Sequence, residues 1–457
     1  MIMPGKMSAF LSLSLAVVLL VGAAPAMAAG GLEAGVAKVD ITPKDLTGLV
    51  GIVPKPYGGV HDRLYARALV LESGADTAAI VSLDLVEMGN TTALRARIAK
   101  DLGIPADHII IAASHDHNAP RAGPITPGTS SATGRPYSPP AYIQQVDDAI
   151  VEALRDAKQG LQPARFGYGT GKVDVSLARY GYTPERGWRE NPNEDGFSDK
   201  TLAVVKFETA SGQPLAVLFN YAVHSNSMTG EAANLISGDI AGNAEAFVEN
   251  QFDGKVVALW SMGAAADQYP KFNWDMGLLT KTSSVYAPAE MQGSMIGGEV
   301  TKVLKQIRQT TDKVSLYAAE RDVACPMNVK ASGPDGPGGS AAPAGGQQGP
   351  GPATAKPLLP APKPGDELNI QLSLVRLNQL AITGASGEVG SEIFQHLKRE
   401  SPFSNTIMIT LSNDRDGYIP DDAGWDHQGP GGQAFVRGCA EKAIVGTLTD
   451  MMNTTAQ

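Results

Sequence analysis

The sequence predicts an α/β fold: mixed β-sheets covered by helices, in a single large domain with a disordered Pro/Gly-rich insertion. Short apolar, β-branched runs recur along the whole chain, segments with apolar residues three and four apart lie between them, and 43% of the 457 residues are apolar, ample for a sizeable core.

In chain order, the first segment reads as an export signal. Lys6 precedes the apolar run from Phe10 to Val21, and the small-residue site Ala26-Met27-Ala28 follows it, so residues 1–28 are expected to be a signal peptide cleaved after Ala28. The run is short for a membrane span, which needs roughly 20 residues. An uncleaved anchor is the alternative, and either reading places the domain outside the cytoplasm, secreted or periplasmic. The domain is expected over residues 29–457.

Buried strands are predicted at Ala66 to Leu71, Ala79 to Leu83, Ile109 to Ala113, Leu215 to Val223, Val256 to Trp260, Leu377 to Ile382 and Ile407 to Leu411. Helices are predicted where Ile143, Val146, Ile150 and Leu154, and then Val389, Ile393 and Leu397, fall on one face. The segment from Gly333 to Pro364 is almost entirely Gly, Pro, Ala and Gln, too poor in apolar groups to order itself. It reads as a loop inserted into one domain. A linker between two domains is the competing reading, but the roughly ninety residues after it hold candidate ligands that need partners from before it.

The formal net charge is −10, and loss of Lys6 with the leader makes it −11, which argues against a nucleic-acid partner. Two distant cysteines, Cys325 and Cys439, exclude a clustered thiolate metal site and leave open whether they are bridged. Any metal must be held by imidazole, carboxylate or phenol.

The strongest local signal is Ser114-His115-Asp116-His117-Asn118-Ala119-Pro120, directly after the strand ending at Ala113. Residues two apart in extended chain share a face, so His115 and His117 can reach one site. Neutral imidazole is both a metal donor and a proton carrier near neutrality. Two incidental surface histidines would look the same, since His-x-His alone has weak specificity. Three more strand ends carry polar residues: His224 after Val223, Glu388 after Ser386-Gly387, and Tyr418 after Gly417. Ligands in α/β folds collect beyond the carboxyl ends of strands. Singly, each has a blander reading: a histidine bonded to a carbonyl, a carboxylate in a helix's first turn, a tyrosine packed in a turn. Asp84, Asp239 and Asp267 adjoin apolar segments and could bind a second, harder cation, with structural hydrogen bonding the favoured role.

Taken together these motifs resemble the neutral, non-lysosomal ceramidases, over essentially the whole chain after the leader. The resemblance is carried by Ala34-Gly35-Val36 to Asp40-Ile41-Thr42-Pro43, Ser114-His115-x-His117, Tyr221-Ala222-Val223-His224, Ile236-Ser237-Gly238-Asp239, Gly387-Glu388 and Gly417-Tyr418-Ile419, in the family's order. It implies that His115, His224, Glu388 and Tyr418 bind one Zn2+ and that His117 lies beside the water and substrate. The expected activity is cleavage of an amide of the N-acyl-sphingosine type by metal-activated water. Arg179, after Val173-Asp174-Val175, is the nearest match to an arginine that places the scissile amide. A small-molecule or lipid substrate, peripheral membrane contact and no protein partner are expected.

The chain departs from the family in three places. Tyr269, in Ala266-Asp267-Gln268-Tyr269-Pro270, stands where the family has a serine close to the zinc water. Its phenol is expected to narrow the pocket and could donate to a developing oxyanion. A further family tyrosine falls in Gln428-Gly429-Pro430-Gly431, and with Gln457 as its last residue the chain is expected to lack the immunoglobulin-like C-terminal domain of full-length ceramidases. Two other readings follow: a metallohydrolase of another amide or ester, and a secreted metal- or ligand-binding protein without catalysis.

Overall fold

The structure is a computed structural model that describes residue 1 and residues 30–49, 51–52, 56–123, 138–228, 234–273, 285–329, 363–428 and 433–456. The expected leader apart from Met1, the Gly/Pro-rich tract apart from Lys363 and Pro364, and the segment 429–431 lie outside these residues.

The large sheet is built from β1 (Gly30–Asp40), β2 (Tyr65–Ser73), β3 (Asp76–Leu83), β4 (Ile109–Ala113), β5 (Gln162–Lys172), β6 (Thr201–Thr209), β7 (Pro214–Tyr221) and β8 (Val257–Met262). Its strand order is β8-β7-β6-β5-β1-β2-β3-β4, with the short strand Lys313–Val314 beside β1. A second sheet of four strands follows, β9 (Leu316–Pro326), β10 (Glu367–Leu377), β11 (Leu380–Ala385) and β12 (Asn405–Ile409), side by side in that order. The helices are α1 (Thr92–Leu102), α2 (Pro140–Gln159), α3 (Asp239–Asn250), α4 (Ala287–Gln306), α5 (Ser391–Glu400) and α6 (Ala440–Ala456).

Strand alternation shows how these pieces stack. Ala66, Ala68, Val70, Val81 and Ile111 face the core that holds α2, whereas Leu69, Leu71, Ile80 and Ile110 face the second sheet through Leu316, Val375 and Ile382. Leu202, Val204, Val217 and Phe219 in turn face α3 and α4, and α5 and α6 cover the outer side of the four-stranded sheet. The result is two stacked sheets between helical layers, with inner strands buried on both faces. That is why those strands read as continuous apolar runs.

The α/β class with mixed, helix-covered sheets is as expected, with one correction. The apolar run from Leu377 to Ile382 is the end of β10, a tight turn and the start of β11, which pair antiparallel. Asn378 makes the turn at φ 54°, a conformation asparagine tolerates because its side chain can bond locally, here by accepting from Ser315 N and donating to Lys313 O.

Cys325, at the end of β9, and Cys439, just before α6, form a disulfide. No described helix is long and apolar enough to cross a membrane.

Within the two main sheets three strand pairs are parallel, β3 with β4, β7 with β8, and β11 with β12. Each therefore sends two carboxyl ends the same way. β8 also packs against β2, β3 and β4 from across the curled sheet, with Ser82 Oγ donating to Trp260 O at 2.6 Å. The second sheet is locked to the edge strand β4 by Asn413. Its backbone N donates to Ile111 O at 2.7 Å, its Oδ1 accepts from Ile111 N at 2.8 Å, and its Nδ2 donates to Ile109 O at 3.0 Å.

Candidate metal centre

The segments after β4, β7, β11 and β12 meet at one place. His115 follows β4 at φ 59°, His224 follows β7, and Glu388 and Tyr418 are paired across a two-stranded parallel ladder formed by Glu388–Val389 and Tyr418–Ile419. Glu388 therefore sits in a short strand rather than in the first turn of α5, which starts at Ser391. The two histidine segments are tied together by His117 N, which donates to Ser225 O at 2.9 Å.

Both ligand-type imidazoles are oriented by backbone. His115 Nδ1–H donates to Val86 O and His224 Nδ1–H to Gln268 O, each at 2.9 Å, which leaves Nε2 of both rings as a lone-pair donor. Those Nε2 atoms lie 3.3 and 3.4 Å from Glu388 Oε2. Tyr418 Oη is 3.5 Å from His224 Nε2, and His117 Nε2 is 3.2 Å from His115 Nε2.

A tetrahedral zinc site with bonds of about 2.0–2.1 Å separates its donor atoms by about 3.3 Å, and the observed spacings match that edge. Glu388 Oε2 is buried and makes no hydrogen bond within the described residues, although two ring nitrogens stand beside it. An orphaned carboxylate oxygen facing nitrogen lone pairs is costly in a protein interior and is what a cation between them would satisfy. The cluster of His115, His117 and His224 has its ligand atoms all within 4.8 Å of one another, the described group of three or more metal-binding side chains that could hold an ion.

The charge states suit ligation. Burial pushes His224 down to about 4 and His117 well below the ordinary imidazole value, so both rings are neutral at pH 7. Burial pushes Glu388 up, but the neighbouring His115 and His224 outweigh it and hold the carboxyl well below its usual range. Burial raises the Tyr418 phenol, with the Arg179 guanidinium acting in the opposite sense.

Arg179, on the strand Ser176–Thr183, reaches the same place. Its Nη1 donates to Tyr418 Oη at 2.9 Å, its Nη2 lies 3.2 Å from Glu190 Oε2, and its guanidinium carbon is 4.3 Å from the Tyr269 ring centroid. Tyr269 stands with its ring 5.5 Å from the His224 ring, and its hydroxyl donates to Glu190 Oε1. That proton is thus committed to a carboxylate. Glu190 escaped the sequence reading because nothing in Trp188-Arg189-Glu190 distinguishes it from an exposed strand carboxylate; the carbonyls of Val86 and Gln268 carry no side-chain signal at all. Arg415 was missed too: its Nη2 lies 3.7 Å from Glu388 Oε1, and its Nε pairs with buried Glu87.

The three secondary aspartates take hydrogen-bonding roles. Asp84 pairs with Arg67 at 2.8 Å, Asp239 accepts from Met228 N at 2.9 Å, and Asp267 accepts from Ser391 N and Oγ at 2.9 and 2.7 Å.

Comparison with known proteins gives a consistent picture. Residues 33–276 match the family described as neutral/alkaline non-lysosomal ceramidase, N-terminal. Neutral ceramidase A of Dictyostelium discoideum is 28% identical over 214 residues, and neutral ceramidase B of the same organism 28% over 210. Each alignment takes in 43% of this chain and 28% of the relative, so the chain matches under a third of their length. Among solved structures, neutral ceramidase from Pseudomonas aeruginosa superimposes with a TM-score of 0.68 at 20% identity, over 93% of this chain and 74% of that one. A ceramidase complexed with C2 gives 0.69 at 20% identity, over 93% and 75%. At that identity the likeness is one of fold.

Proposed function

The chain belongs to the neutral/alkaline non-lysosomal ceramidase family, and on that premise we propose that it is an exported, zinc-dependent hydrolase that cleaves an amide bond of the N-acyl-sphingosine type. The observation that carries this reading is the convergence of His115, His224, Glu388 and Tyr418 around an unsatisfied carboxylate oxygen, Glu388 Oε2, which lies 3.3 and 3.4 Å from the two imidazole Nε2 atoms, with Tyr418 Oη 3.5 Å from His224 Nε2.

A zinc ion held by these four side chains would act as a Lewis acid, polarising the scissile carbonyl and lowering the pKa of a water towards about 7. The chain's own groups supply the rest. The Val86 and Gln268 carbonyls fix the tautomers of His115 and His224, so their Nε2 atoms point inward without reorganisation. His117 is half-buried, neutral, and near enough to the centre to take a proton at Nε2 and hand it to a leaving amine. Arg179 presents a fixed guanidinium beside Tyr418, placed to orient a carbonyl oxygen.

Tyr269 favours a second reading, a metallohydrolase of another amide or ester. A ring at 5.5 Å from His224 occupies space near the reacting centre, and its hydroxyl serves Glu190, so the pocket wall is bulkier than a serine would make it. The structurally similar ceramidase complexed with C2 supports, for this chain, a small-molecule or lipid substrate.

The test is direct. Purified protein assayed for metal is expected to contain one zinc per chain, and N-acyl-sphingosines are expected to be hydrolysed until a chelator is added. Turnover confined to other amides or esters moves the assignment to the second reading, and a metal-free protein without hydrolytic activity defeats both.

A further inference from the structure

Arg179 places a permanent cation beside a site read as holding a second one. Its Nη1 is 3.5 Å from His224 Nε2, and its three aromatic neighbours, Tyr269, Tyr418 and Tyr180, have ring centroids 4.3, 5.2 and 5.6 Å away. Aromatic faces attract a guanidinium but carry no net charge to offset it. The carboxylate in contact with the Arg179 guanidinium is Glu190.

A local irregularity of the backbone lies beside Glu190. The strand Gly187–Asn193 pairs with Ser176–Thr183, and the register runs Glu190 opposite Tyr180 and then Asn193 opposite Ala178, so one extra residue lies between Glu190 and Asn193. A bulge of this kind breaks the alternation of side chains and re-aims one of them, as bulges beside active sites commonly do. Its two oxygens are divided between partners: Oε2 takes Arg179 Nη2 and Oε1 takes the Tyr269 hydroxyl.

We propose that Glu190 is the positioning residue of this site: it neutralises Arg179 and fixes its guanidinium between Tyr269 and Tyr418, so that a metal ion and an arginine can stand side by side. The inference rests on the metal centre of the proposed function. It also assigns Tyr269 a task, holding the carboxylate in line by a hydrogen bond from its phenol, in place of contact with the reacting carbonyl.

The experiment compares wild type, Glu190→Gln, Arg179→Gln and the double variant, each prepared metal-free and titrated with zinc against a chromogenic chelator. Glu190→Gln keeps the size and an acceptor oxygen but leaves the guanidinium charge uncompensated, and zinc affinity is expected to fall about tenfold. Adding Arg179→Gln is expected to restore it to within about twofold, because the repelling charge is gone, a recovery that a merely structural role for Glu190 would not produce. Unchanged affinity in Glu190→Gln, or no recovery in the double variant, overturns the proposal. A wild-type protein that takes up no zinc overturns the metal reading instead. The pairing is then judged by urea unfolding of the same four metal-free proteins, where non-additive losses support it and additive losses overturn it.

Discussion

His115 adopts a left-handed backbone conformation that residues other than glycine, asparagine and aspartate seldom take, and Leu411 at φ 52° and Asn413 at φ 66° do the same on the segment packed against it. Strain of this kind persists where surrounding contacts over-determine it, and here Ser114 N bonded to Leu83 O and Asp116 N bonded to Leu85 O hold the chain on both sides of the histidine. The positive φ turns the ring inward, toward Glu388. From these contacts His115→Ala and Glu388→Ala are each expected to abolish stoichiometric zinc, as read by metal analysis of the purified variants. His117→Ala is expected to retain the ion and lose about 100- to 1,000-fold in rate, the usual worth of a positioned proton carrier. Full metal content in the first two variants would remove the ligand assignment. At this scale the sequence was informative wherever chemistry resides in a side chain at a strand end, and silent where it resides in a carbonyl or in a carboxylate beside a strand irregularity.

Among the elements, α2 shows how far periodicity reaches. Val146, Ile150 and Leu154 were legible as one face, and all three are buried against the large sheet. The closeness of that packing was not legible: a Cβ on Gly35 of β1 would meet Ala157 O of α2 at 1.9 Å, so only glycine lets helix and strand backbones approach this far. A similar device joins α3 and α4, where Gly293 and Gly297, four apart on α4, receive Asn243 and Phe247 of α3. Helix α2 also carries a titratable liability. Asp147 Oδ1 has no hydrogen-bond partner within the described residues, and burial raises its carboxyl from the ordinary 3.8 to about 6, against the pull of Arg97. A carboxyl whose folded value is raised favours folding only while protonated, a contribution complete below about pH 4 and lost as the pH climbs through about 6. Asp147→Asn is therefore expected to exceed wild type in unfolding free energy by about 1–2 kcal/mol at pH 8, after allowance for its partial exposure, with the advantage gone by pH 4. Equal denaturant midpoints at pH 8 would contradict this.

At the scale of the whole molecule, the two sheets are held together by the shared apolar layer and by Asn413, while the Cys325–Cys439 bridge, between residues 114 positions apart, ties α6 to the second sheet. A cross-link over so long a stretch restricts the unfolded chain strongly, so reduction, or Cys439→Ser, is expected to lower the unfolding free energy by about 4 kcal/mol in urea titrations. An unshifted midpoint would mean the bridge contributes nothing to stability. The sequence by itself determined the α/β class, the places where polar residues follow buried strands, and the family resemblance that named His115, His224, Glu388 and Tyr418, because those features are written in local patterning and in the identity of side chains. It misread Leu377 to Ile382 as one strand, since an apolar run is continuous across a turn of only two residues. Whether four strand ends lying 303 residues apart at the extremes, His115 and Tyr418, would meet at one point was decided by tertiary structure alone. That outcome depends on three parallel strand pairs aiming their carboxyl ends the same way and on one asparagine fastening the second sheet to the edge of the first, long-range pairings whose energy no short window of sequence contains.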